Sequence, residues 1–306
     1  MPGGHRVASN GSYDGRVRNW PPPTGSPVGT WGWYRASDGR WYRTHVAPAP
    51  GYELGPDGRW IAGTGAAWQT SRWGIGDAWW GFLTYVVASL LLGVGVLVVA
   101  GATGGDVEDL DLGPYAVSFL VVGNVAAFFG IPWLASRRKG LGSLRDDFGL
   151  RVRPIDLVLG LGFGIGGMIG AAIVGTAIDA AFGVEESTSN IPVDALDGRG
   201  ELVVFAVSVA LVTPVIEELF FRGLVYRSLL KRGMSSATAI VVATVVFVLP
   251  HLTAADSVAS LVSLAGSIAI LGLAFQLACH LTQRLGASIV AHVVVNGAAV
   301  AALALG

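Results

Sequence analysis

The chain has 306 residues, of which 52% are hydrophobic and only 13% charged, and its mean hydropathy is +0.59. Soluble domains carry about 25% charged residues, so the deficit points to an integral membrane protein. A net charge of −1 gives no support to nucleic-acid binding, and the single cysteine, Cys279, excludes a disulfide framework and any cysteine-based zinc cluster.

Residues 1–72 form a Gly-, Pro-, Trp- and Arg-rich segment in which Pro21, Pro22, Pro23, Pro48 and Pro50 interrupt any periodic pattern. No apolar core of signal-peptide length opens the chain, so no cleavable signal is expected and the first apolar span acts as the anchor. Asp-Gly-Arg-Trp occurs at 38–41 and again at 57–60, with a looser Asp14-Gly15-Arg16 before them. Asp-Gly between aromatic-bearing arms favours a tight hairpin. The same composition suits a disordered cytoplasmic tail, and both readings stand.

From here apolar runs recur at lengths near the ~20 residues that span a bilayer. The first covers 79–102 and is led in by Trp73, Trp79 and Trp80, which suit an interfacial aromatic belt. An acidic loop (106–111) and a second run (115–135) follow, then a basic linker over 136–153. Residues 73–153 thus hold two spans and the linker, and residues 154–306 the remaining five. The third run (157–183) is dense in glycine, with Gly160/Gly164, Gly162/Gly166 and Gly166/Gly170 each four apart, a spacing that lets a neighbouring helix approach closely. A second acidic loop (185–201) leads to the fourth run (202–225), and the rest lie at 237–252, 260–281 and 287–305. With the tail and the basic loops placed inside, ten Lys and Arg fall on cytoplasmic loops and only Arg199 on the other side. The positive-inside rule then gives an all-α polytopic bundle of about seven spans in the cell membrane, N-terminus cytoplasmic and C-terminus outside.

The fourth run carries three charges that lipid would not accept unpaired: Glu217, Glu218 and Arg222. Each costs about 2.5–3.5 kcal/mol near mid-bilayer, so such groups pair or serve a function. Glu218 and Arg222 stand four apart, the separation for an ion pair along a helix. Glu217 points about 100° away, towards other helices. Deep polar partners are few. Phe247 and His251 lie four apart in the fifth run, His292 and Asn296 four apart in the seventh. Glu217 with His251 and His292 is a ligand set of the kind found in catalytic zinc sites. The same groups serve equally to position a water with no metal, Glu217 acting as general base and a histidine with Asn296 facing the developing oxyanion. At about 1.5 Å per residue, Glu217 lies roughly 15 Å from the inner edge, His292 roughly 9 Å and His251 roughly 22 Å. Tilt, or a helix break at Pro250, would bring them to one level.

Glu-Glu-x-x-x-Arg, Phe-x-x-x-His and His-x-x-x-Asn, in this order on successive spans, resemble the CPBP group of intramembrane proteases, which includes the type II CAAX prenyl endopeptidases and the Abi proteins. Phe221-Arg222-Gly223-Leu224 and Leu285-Gly286-Ala287-Ser288-Ile289 add to the likeness, which covers residues 200–306. The resemblance implies Glu217 as activator of the hydrolytic water with help from His251, and His292 and Asn296 as stabilisers of the tetrahedral intermediate. It makes Glu218 and Arg222 a supporting pair, with Phe247 packing beside the site. The substrate it implies is a membrane-embedded or lipid-anchored peptide; the metallo- and glutamate-type mechanisms both stand, zinc being held in the first case by Glu217, His251 and His292. Two expectations compete with it: a catalytically silent scaffold or bacteriocin-immunity-type protein on the same fold, and a transporter using Glu217 as a proton site.

Overall fold

The computed structural model describes residues 32–35, 41–44, 52–54, 60–62, 67–103, 123–182, 199–255 and 257–305. The 14–16 turn, the acidic loop at 106–111 and most of that at 185–201 lie outside them. The chain divides into two compact units, Met1–Thr70 and Ser71–Gly306.

In the first unit, β1 (Gly32–Arg35) pairs antiparallel with β2 (Trp41–Thr44), placing Gly32 opposite Thr44 and Arg35 opposite Trp41. A second hairpin joins β3 (Tyr52–Leu54) to β4 (Trp60–Ala62), with Tyr52 opposite Ala62. In sequence, the Asp-Gly pairs at 38–39 and 57–58 each fall between the two strands of one hairpin. The unit ends in a short 3-10 helix, Ala67–Thr70.

Among its described residues, the regular elements of the second unit are all helices. Its helices are α1 (Ile75–Thr103), α2 (residues 123–139), α3 (Leu144–Phe148), α4 (Pro154–Phe182), α5 (residues 199–231), α6 (Ser236–Val248), α7 (Val258–Thr282) and α8 (Gly286–Leu305). Four are long and apolar enough to cross a membrane, over Ile75–Val99, Pro154–Phe182, Leu202–Lys231 and Val258–Thr282, and two shorter apolar helices cover Ser236–Leu252 and Gly286–Ala302. These six match six of the seven apolar runs, and the described part of the second run falls in α2. The second unit is an all-α membrane helical bundle.

Local sequence sets several boundaries. Ser257 and Ser260 form a reciprocal capping box at the start of α7, satisfying backbone N–H groups that the first turn leaves over. Ser235 caps α6 by accepting from Thr238 N at 3.1 Å. The short α3, inside what sequence reads as a plain basic linker, begins at Ser143 and ends on Gly149 at φ +74°, a left-handed position that suits glycine.

Helix α5 is the core of the bundle: every residue from 216 to 229 is buried. It meets α1 and α2 through an aromatic cluster in which Phe82 and Phe128 approach Phe220 at 5.4 and 4.8 Å between ring centroids. Glycine-rich α4 packs on α7 and α8. A Cβ at Gly164 would lie 2.9 Å from Ala291 O, one at Gly167 3.1 Å from the Ala274 methyl, and one at Gly170 2.9 Å from Ile270, so those glycines do permit close approach. Gly162 and Gly166 have nothing within 4 Å, which corrects the expectation that all the four-apart pairs face a neighbour. At 3.6 residues per turn, positions 162 and 166 fall on the opposite side of the helix from 160, 164 and 167.

One end of the bundle is fastened by buried charges. Asp147, fully buried, accepts from Trp73 Nε1 at 2.8 Å, Ser136 Oγ at 2.7 Å and Leu141 N at 2.9 Å. Arg284 grips Asp156 with two bonds, at 2.9 and 2.6 Å. Lys231 Nζ donates to Ser71 O and Ser71 Oγ at 2.9 Å and to Trp73 O at 2.6 Å. Trp73 is therefore not a belt residue. It is 1% exposed, held by Asp147 and Phe148, whereas Trp79 and Trp80 are 71% and 62% exposed.

Candidate active site

Glu217 and Glu218 lie midway along α5, between two stretches where the helix widens to π geometry, Ser208–Val212 and Leu219–Val225. Such π segments recur at functional sites. The first has a sequence cause. Pro214 has no N–H and its ring crowds the preceding turn, and just before it Thr213 N bonds back to Ser208 O instead of Val209 O. Val209 is left with a spare carbonyl inside the bundle. Asn296 of α8 meets it, donating from Nδ2 at 2.9 Å. Asn296 thus has a bracing contact that no spacing rule foretells; an amide nitrogen carries two hydrogens, so one donor remains.

The charges distribute as follows. Arg222 Nη1 donates to Glu218 Oε1 at 2.9 Å, the four-apart pair expected from sequence, with Arg222 1% exposed and Glu218 fully buried. Arg222 Nη2 donates to Gly272 O of α7 at 2.8 Å. The guanidinium also covers the Phe247 ring, its carbon 4.2 Å from the centroid. His292 Nδ1 shares Glu218 Oε1 at 3.0 Å, and its Nε2 stands 3.8 Å from Glu217 Oε2. Glu218 is therefore more than the partner of Arg222. It also orients the imidazole that faces Glu217.

His251 sits in the 3-10 turn Leu249–Ala254 that follows α6, so the helix does change character at Pro250. Its Nδ1 is 2.9 Å from Phe247 O. A carbonyl only accepts, which puts a proton on Nδ1, so in the neutral ring Nε2 is an acceptor. The His251 ring lies 4.7 Å from Phe247, which is 5.9 Å from His292 at near right angles. Glu217, Glu218, Arg222, Phe247 and His292 thus form one connected buried group, with half-buried His251 against Phe247. Asn296 is one turn beyond His292 on α8.

Three neighbours have no signature in the motif spacing. Phe275 of α7 stacks on His292 at 4.5 Å and 20° between ring planes. The Gly272 carbonyl serves Arg222 as a backbone acceptor, invisible to any reading of side chains. Tyr85 of α1 stacks on Phe128 at 5.3 Å, and Phe128 in turn packs on Phe220 and Phe221 of α5. Tyr85 and Phe275 are aromatic residues in apolar helices, indistinguishable in sequence from core packing.

The metal expectation is tested by the donor set. Among the described residues, no three His, Cys, Asp or Glu side chains gather closely enough to hold a metal ion. Glu217, His251 and His292 do not form a ligand cage as they stand. What the arrangement offers is a buried carboxylate oxygen, Glu217 Oε2, with no hydrogen-bond partner among the described residues, beside an imidazole Nε2. A water at about 2.8 Å from each would complete both.

Residues 199–298 match the family of type II CAAX prenyl endopeptidase Rce1-like proteins. That match supports a CPBP/CAAX protease assignment. It contains all the motif residues, Glu217, Glu218, Arg222, Phe247, His251, His292 and Asn296, while α1, α2 and α4 lie outside it. Comparisons with curated proteins and with solved structures returned no match. At family level the match supports a CAAX-type intramembrane protease, and the apolar helices support a multi-pass membrane protein.

Proposed function

We propose that the chain is an intramembrane endopeptidase that hydrolyses a peptide bond of a membrane-embedded or lipid-anchored substrate by a glutamate-activated water. Glu217 takes a proton from the water as its oxygen attacks the scissile carbonyl carbon, and His251 assists in holding that water. The carbonyl oxygen becomes an oxyanion facing His292 Nε2–H and the remaining N–H of Asn296. The proton held by Glu217 then passes to the departing amine as the carbon–nitrogen bond breaks. Glu218 serves by accepting from His292 Nδ1 and so orienting the ring, which then donates from both nitrogens when Nε2–H faces the oxyanion, and Arg222 holds the Glu218 carboxylate in place. The proposed setting is the cell membrane, with the N-terminus and basic loops cytoplasmic.

The observation that supports this reading is the buried meeting of Glu217 and Glu218 with His292, drawn from two motifs on two helices, inside the Rce1-like region. The test is cleavage of a bilayer-inserted peptide by purified protein, with Glu217→Gln beside the wild type and metal content measured on the same samples. A fall of about 10²–10⁴-fold in kcat with the fold intact is expected. Full activity in Glu217→Gln would leave the silent-scaffold reading in its place. Activity that tracks bound zinc and vanishes with a chelator would replace the metal-free mechanism.

A further inference from the structure

Gln276 of α7 is fully buried, and neither its Oε1 nor its Nε2 has a hydrogen-bond partner among the described residues. Two unmet polar atoms on one buried side chain are uncommon, because native interiors pair nearly all such groups with protein or ordered water. The surroundings of Gln276 follow from contacts on either side of it. Residues four apart on a helix share a face, so Gly272, Gln276 and His280 form one stripe. Arg222 of α5 donates to Gly272 O at 2.8 Å, and Tyr226, one turn further along α5, lies 2.8 Å from His280 Nδ1. These two contacts put the stripe on the side of α7 that faces α5, and Gln276 lies on that stripe between Gly272 and His280.

Two more buried polar atoms belong to this place. Arg222 Nε has no partner among the described residues although both terminal nitrogens of the guanidinium are engaged. Thr244 Oγ1 of α6 is also without one, and Thr244 reaches the same stripe: a Cβ at Gly272 would lie 3.5 Å from its methyl. The set is a donor at Arg222, a donor-acceptor at Thr244, and both an acceptor and donors at Gln276. Water is the small molecule that matches a mixed set of this kind, and a buried water needs two to four such partners.

We propose that Gln276, Thr244 and Arg222 Nε enclose an internal water site between α5, α6 and α7, and that Gln276 is a positioning residue for the proteolytic centre. The water ties down the third edge of the Arg222 guanidinium. Arg222 in turn fixes Glu218 Oε1, which orients His292 towards Glu217. Gln276 touches no reacting atom and acts only through this relay. The inference rests on the roles given above to Glu218 and His292.

The test is a double-mutant cycle with Gln276→Leu and Thr244→Val, both close in shape to the native residues, in the full chain in lipid nanodiscs. Peptide cleavage gives kcat and KM, and thermal unfolding is followed in parallel. Gln276→Leu is expected to lower kcat at least tenfold at nearly constant KM, and Thr244→Val to lower it in the same sense. The double variant should be no worse than Gln276→Leu alone, because the two side chains share one water. Strictly additive losses, or a kcat unchanged in Gln276→Leu, would overturn the proposal. So would a Gln276→Leu protein of raised unfolding temperature and full activity, the result for a dry, idle amide. Should Gln276→Leu fail to fold, Thr244→Val decides alone: an unchanged kcat refutes. Glu217→Gln run alongside separates the two levels: if it stays active the catalytic assignment fails, whereas an inactive Glu217→Gln with an unaffected cycle removes only the water site.

Discussion

The pair Arg222–Glu218 gives the sharpest energetic prediction. The two groups are 2.9 Å apart with 1% and 0% of their side chains exposed, so solvent screens them little. Two charges at about 4 Å in a medium of effective dielectric near 20 attract by roughly 4 kcal/mol. Replacing Arg222 by Met keeps most of the apolar contact with Phe247 and Phe275 but strands the Glu218 carboxylate with His292 alone. Breaking one side of a buried pair in this way costs about 3–5 kcal/mol. The companion variant Glu218→Gln/Arg222→Met leaves no uncompensated charge, and Gln still accepts from His292 Nδ1, so it should recover roughly half of that loss. Equilibrium unfolding in mixed micelles, followed by circular dichroism, measures both. A loss below about 1 kcal/mol in Arg222→Met, or a double variant as unstable as the single one, would refute the claim that the pair is a buried charge couple. Cleavage should be lost in both variants, since neither keeps an ionised Glu218 beside His292 with its cation.

Asn296→Ala should cost about 1–3 kcal/mol of stability as well as activity, because it leaves the Val209 carbonyl unmet inside the bundle; a loss of activity alone would mean that the brace is unimportant. Gly272→Ala should destabilise by about 1–3 kcal/mol, its methyl landing 2.8 Å from the Phe247 ring. Gly162→Ala, with nothing within 4 Å, should be neutral or stabilising by up to about 1 kcal/mol, and unfolding midpoints for the two alanines make the comparison. Trp73→Phe removes one of the hydrogen bonds to buried Asp147 and should cost about 1.5–3 kcal/mol, read by the same unfolding assay.

The parts of the fold legible in the sequence were those set by composition and by spacing within one helix. Apolar runs marked the helices, and the four-residue interval between Glu218 and Arg222 announced their ion pair. Cross-helix partnerships were less legible, for a definite reason. Each extra residue in a π segment turns everything beyond it by about 100°, and α5 has such segments on both sides of the glutamates. That phase shift cannot be counted from periodicity, so the sharing of Glu218 between Arg222 and His292 was not foreseen. Neither was the bond from Asn296 to Val209, which exists because Thr213 skips its usual acceptor. Trp73 misled because a tryptophan before an apolar run reads the same whether it faces headgroups or a buried aspartate 74 residues away. Gln276 carried no motif at all; only its burial without a partner singles it out.

The buried charges at the end of the bundle bear on biogenesis. The bias that loop charges exert on orientation acts on a nascent chain, before tertiary contacts exist. In the finished protein Arg227 donates to Asp147 O, Lys231 to Ser71 and Trp73, and Arg284 to Asp156, so these cations are engaged within the protein. On the proposed orientation the same residues would act at two moments: first as topological signals in an unfolded chain, then as clasps that hold the ends of finished helices together. Neutralising one of them, Arg284→Gln for instance, should leave insertion unchanged, with nine other basic residues on those loops, while loosening the join between α7, α8 and the start of α4. Quality control would therefore meet such a variant as a correctly inserted protein that fails to close.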